Sequence, residues 1–186
     1  MQFIPALLAA IGLSACAGLR AFLPIFGIGF AARVFGWELA PSIHWLASTP
    51  ALIIFGLATV IEIAADKIPV VDHGLDVVQT FAGPAAGALV SFSPFVDLPG
   101  PFALALAIVT GATIAGGVHA VAATSRVKST LATAGIANPI LSFIEDAMAV
   151  SSLLIALLAP ILILLPIVFF IWLWRRMTRG RRLRSA

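Results

Sequence analysis

The chain has 186 residues, 61% of them hydrophobic and 10% charged, with a mean hydropathy of +1.13. A soluble domain is usually about 45–50% apolar, so a water-soluble globular fold is excluded and lipid is the expected solvent. The formal charge of +3 comes from one end. Six of the 11 basic residues are Arg175, Arg176, Arg179, Arg181, Arg182 and Arg184, and without them five basic residues face eight acids.

The arginine cluster reads as a cytoplasmic anchor following the last span. No basic face exists elsewhere, so no nucleic-acid partner is expected. With one cysteine, Cys16, no intrachain disulfide can form. The four tryptophans, Trp37, Trp45, Trp172 and Trp174, lie at the ends of apolar runs, as interfacial tryptophans do.

The first apolar run extends from Phe3 to Phe35. It exceeds the roughly 20 residues of one upright span and is interrupted around Gly18–Pro24, so a long, kinked or broken helix is expected. Within it, Leu13–Cys16 matches a lipoprotein cleavage box. However, only Met1 and Gln2 precede the apolar stretch, and the chain stays apolar through Phe30, so a retained first helix is expected. Gly36–Thr49 carries Trp37, Glu38, Pro41, His44 and Trp45 and suits an interfacial loop or short surface helix.

A second span is expected over Pro50–Ala65, ending in the polar stretch Asp66–Asp76. Val77–Phe92 is short and contains Gly83, Pro84 and Gly87, so it fits a short span or a re-entrant element. Ser93–Pro101 is a proline-rich turn, Phe102–Thr124 a fourth span, and Ser125–Ala137 a polar, flexible connection. Asn138-Pro139 has the form of a helix start, with asparagine capping and proline in the first turn. The final apolar run, Ala147–Trp174, contains Pro160 and Pro166, which should bend or break it.

The fold class is therefore all-α: a polytopic transmembrane helical bundle of five spans (four to six), with broken or re-entrant helices. Residues 1–174 form the membrane domain and 175–186 a basic cytoplasmic tail. Helix lengths favour five spans, with the N-terminus outside. The positive-inside rule favours six, with Lys67, Arg126 and Lys128 inside. Either count puts Asp66–Asp76 and Ser125–Lys128 on one side of the membrane.

Ionisable groups at membrane depth cost several kcal/mol unless paired or hydrated. Glu62 and Asp66 are four residues apart, as are Asp72 and Asp76, and this spacing puts each pair on one helical face. Glu145-Asp146 opens the last helix, where acids complement the helix dipole. Candidate partners are Arg20 in the break of the first run, Lys67, Arg126 and Lys128. His119 shares a helical face with Arg126. Asp66, Asp72 and Asp76 also suit helix caps in a solvated loop, Arg20 a snorkelling side chain, and His119 a packed, hydrogen-bonded histidine. Ser14/Gly18, Gly83/Gly87 and Ala112/Gly116 follow the small-xxx-small spacing of close helix packing.

Several of these segments resemble the bacterial integral membrane family labelled domain of unknown function 4126. The resemblance rests on Ser14–Pro24, Glu62–Asp72, Gln79–Leu89 and Asn138-Pro139 with Ser142–Asp146. It covers nearly all of the chain before the arginine tail and implies a membrane protein, most simply of the bacterial inner membrane.

No H-E-x-x-H, G-x-S-x-G, P-loop or cysteine pair occurs. The leading expectation is a transporter or channel for a cation or a proton-coupled small solute. Its binding residues would be Arg20, Glu62, Asp66, Asp72, Asp76, His119, Arg126, Glu145 and Asp146. A metal-dependent membrane enzyme acting on a lipid or lipid-linked phosphate is the alternative, since acids at the interface hold hard cations. A structural or assembly subunit is a third. No cofactor is expected. The expected partners are the lipid bilayer, a small ion or solute, and a second copy of the chain.

Overall fold

The computed structural model describes residues 3–95, 97–165, 168–169, 171–172 and 175–176, with backbone alone for 69–73 and 161. All regular structure among the described residues is helical. In chain order the α-helices are α1 (Phe3–Leu19), α2 (Phe22–Phe35), α3 (Thr49–Ala65), α4 (Pro69–Ser91), α5 (Gly100–Ala107), α6 (Thr113–Thr133) and α7 (Asn138–Leu158). A π-helical turn, Ile108–Ala112, joins α5 and α6 into one helix of 34 residues, Gly100–Thr133. That helix, Gly74–Phe95 and Asn138–Leu158 are each long and apolar enough to cross a membrane. The 3-10 helix Pro41–Ala47 and α3, bent by 69°, form a fourth candidate span. The all-α membrane architecture is thus present.

The small, uncharged residues of α1 place it at the centre. Leu13, Ser14, Cys16, Ala17 and Gly18 are all buried, and α4, α6 and α7 pack around it. Gly18 lies against the backbone of Ala115, and Gly83 against Ala17. Gly87 and Gly111 approach each other so closely that a Cβ on either would meet the other's backbone. Gly111 belongs to the π turn, so the irregular turn and the missing side chain together let α4 meet the α5–α6 helix. The small-xxx-small spacings therefore serve packing between α1, α4 and α6. Ser14 Oγ and Ser91 Oγ, 2.5 Å apart, add a buried hydrogen bond between α1 and α4.

The first apolar run is broken within the expected Gly18–Pro24 stretch, into two helices folded into a hairpin. A Cβ on Gly12 of α1 would touch Ala156 of α7, whereas one on Gly27 of α2 would touch Leu153. Between them, Arg20 reaches Asp146 and Ser142 near the start of α7. The chain thus descends along α7 and returns. The two connecting residues, Arg20 and Ala21, are both buried. The sequence marks the break, but a run apolar on both sides of it does not show that the chain folds back.

Three further segments differ from expectation. The Asp66–Asp76 stretch is mostly helix, because α4 begins at Pro69, where a missing N–H costs nothing. Ser125–Ala137 is not a flexible loop, since α6 continues to Thr133. Thr124 and Ser125 donate their hydroxyls to the carbonyls of Ala120 and Val121, so polar residues persist inside the helix. The turn follows at Ala134 and Gly135, both left-handed with φ of 53° and 85°. Asn138 does begin α7, but its side chain donates to Thr130 Oγ1 at 2.9 Å instead of capping.

Two expectations hold closely. Pro41–Ala47 is a short helix whose Ile43 and Leu46 are buried while Trp45 is exposed. Pro160 terminates α7, and the chain then turns back: Ile163 and Ala156 both lie beside Gly12 of α1. Trp174, Pro166 and the tail arginines from Arg179 onward lie outside the described residues.

Candidate functional site

The ends of six helices meet at the tip of the α1–α2 hairpin. Breaking a helix leaves unpaired N–H groups on one side and carbonyls on the other, and here buried charges meet both. Glu62 near the end of α3, 1% exposed, accepts from the backbone N–H of Ala21 at 2.7 Å and of Phe22 at 3.2 Å. Gln79 of α4 donates a third hydrogen bond to Glu62 at 2.9 Å. The carboxylate thus sits at the positive N-terminal end of α2, where a negative charge is favoured. On the other side, Arg20 donates to the terminal carbonyl of α1, Leu19 O, at 3.2 Å.

Arg20 is fully buried and carries the network onward. Its guanidinium contacts Asp66 at 2.5 Å and Asp146 at 2.7 Å. Arg126 of α6 pairs with Asp66 at 2.9 Å and Asp76 at 2.8 Å. Its Nε donates to Glu145 at 3.1 Å and 3.3 Å, and its Nη2 also pairs with Glu145. Lys67 pairs with Asp146 and donates to Ser142 Oγ at 2.5 Å. Ser142 in turn donates to Asp66 Oδ2 at 2.5 Å. Asp66 is therefore the hub between both arginines and the serine. It is buried and is no solvated cap.

The structure brings together Arg20, Glu62, Asp66, Asp76, Arg126, Glu145 and Asp146, all expected from the sequence. His119, also buried, sits on the same face of α6 two turns away, with Nε2 3.2 Å from Thr80 Oγ1. It borders the network without reaching a carboxylate through any direct hydrogen bond described. The side chain of Asp72 lies outside the described residues. Lys128 is exposed. Ser142 and Gln79 went unassigned, yet their spacing carried a signal. Ser142 is three residues before Glu145 and Gln79 three after Asp76, which puts each on the same helical face as its acid.

Among the described residues, no three His, Cys, Asp or Glu side chains converge on a point where a metal ion would be held. The acids face guanidinium, ammonium, hydroxyl and amide groups.

The family described as Domain of unknown function (DUF4126) matches residues 7–180. The chain belongs to that family. No curated protein and no solved structure matches it. The DUF4126 match spans every element of the network. The two strings singled out in the sequence, Glu62–Asp72 and Ser142–Asp146, are spatial neighbours in this member: Ser142 bonds Asp66, and Asp146 pairs with Lys67.

Proposed function

We propose that this DUF4126 protein is a small membrane transporter in which one proton or monovalent cation is coupled to movement of the α1–α2 hairpin. The observation that carries the proposal is the charge balance of the buried network. Three N–H donors satisfy Glu62. Among the described residues, Asp66, Asp76, Glu145 and Asp146 then face Arg20, Lys67 and Arg126, so negative charge is in excess. An excess of negative charge at membrane depth is costly, so binding a proton or a cation relieves it. Broken helices whose ends meet charged groups are the usual setting for ion coupling in secondary transporters. Arg20 and Glu62 each hold one side of the break, so a change of charge beside them bears directly on the hairpin.

The same reading places the network end on the cytoplasmic side of a bacterial inner membrane, since Lys67, Arg126 and Lys128 gather there. The turn back after Pro160 supports a last segment that returns the arginine tail to that side. The absence of convergent metal ligands among the described residues leaves the metal-dependent enzyme without a supporting observation.

Flux into proteoliposomes, driven by a potassium diffusion potential and followed with an internal pH dye, tests the proposal. The wild-type chain is expected to acidify the lumen faster than empty liposomes. Asp66→Asn should abolish the difference, and Asp76→Asn, at a half-buried site, should reduce it. Every variant must elute as folded protein. Wild-type flux equal to that of empty liposomes, or identical flux in all three chains, contradicts it.

A further inference from the structure

A second site lies at the opposite end of the bundle. The C-terminal end of α2, the last turns of α7 and the turn after α4 enclose a cavity of about 690 Å³, within the range of small-molecule sites. Its walls are apolar, with Phe35, Leu154 and Leu157 among them, and its polar groups are Trp37, Glu38, Ser93 and Asp97. Among the described residues, no lysine, arginine or histidine lines it. Glu38 and Asp97 are exposed and, among the described residues, neither takes part in an ion pair, in contrast to the acids of the network. Ser93 is 2% exposed, and its hydroxyl has no hydrogen-bond partner among the described residues.

We infer that this cavity binds a lipophilic organic cation, a monovalent positive centre carried on an apolar body. The apolar walls take the body. Glu38 and Asp97 at the aqueous rim take the charge, and the face of Trp37 adds cation–π attraction. An anion of the same shape would meet two carboxylates and, among the described residues, no counter-charge. A neutral apolar molecule would leave those carboxylates without a partner and gain only burial. The inference does not depend on the coupling proposed above, because binding requires no transport.

Equilibrium dialysis of radiolabelled tetraphenylphosphonium against the purified full-length chain in detergent tests it, with empty micelles as the blank. Tetraphenylborate serves as the probe of equal shape and opposite charge. Saturable binding of the cation at one site per chain is expected, with no saturable binding of the borate. Glu38→Gln combined with Asp97→Asn, two exposed changes that spare the packing, should weaken the cation roughly tenfold. Leu157→Trp, which fills the cavity, should remove binding. Equal binding of both ions, no saturable cation binding, or unchanged affinity in the double variant overturns the inference. None of these outcomes bears on proton flux, so the two proposals fail separately.

Discussion

Replacing Arg126 by leucine is expected to be the most damaging single change at the network, costing about 3–5 kcal/mol of stability, the range for removing one partner of a buried ion pair. Arg126 bridges Asp66 from the end of α3, Asp76 from α4 and Glu145 from α7. Asp76 and Glu145 have no other cation partner in the ion pairs described, so both lose their counter-charge at once. The cost arises from the carboxylates left behind more than from the attraction lost. Unfolding followed by loss of the monodisperse peak in detergent measures it. Arg126→Lys keeps the charge but cannot span three acids as a planar fork does, so an intermediate loss is expected.

Arg20→Met is expected to be the second largest, about 3 kcal/mol. Arg20 is more deeply buried than Arg126, which alone would suggest the reverse order. What decides the order is the fate of the partners. Without Arg20, Asp66 keeps Arg126 and Ser142, and Asp146 keeps Lys67. The uncompensated loss is the unpaired Leu19 carbonyl and one more excess negative charge. Combining Arg20→Met with Asp146→Asn restores the original balance and should recover part of the stability. If the double variant is no better than Arg20→Met alone, packing at the hairpin tip outweighs charge.

Much of the site was legible because an acid inside an apolar segment is costly unless it is paired, so acids at helical spacing there mark a polar cluster. Glu62 with Asp66, and Glu145 with Asp146, announced themselves in this way. Arg20, Lys67 and Arg126 were legible as partners too, but not which acid each would meet, because helical spacing places residues on a face without saying which face lies opposite. Glu62 shows the limit most clearly. Its i,i+4 relation to Asp66 put both acids on one helical face, yet it faces the N-terminus of α2 while Asp66 faces two arginines. The break in the first run was legible, but its fold-back was not, for a related reason: the groups that hold the turn come from residues 40 to 126 positions away. Polar residues misled in the other direction at Ser125–Thr133, where hydroxyls bonded to the preceding helical turn let α6 run on past the apolar span.

The central claim is that charges from separate segments form one buried network. A double-mutant cycle on Arg126→Gln and Glu145→Gln, read from unfolding free energies in detergent, tests it most directly. Direct pairing of the two side chains on α6 and α7 predicts a coupling of about 1–3 kcal/mol, the double variant being far less damaged than the sum of the singles. Additivity to within about 0.3 kcal/mol, as for distant independent sites, would contradict the network.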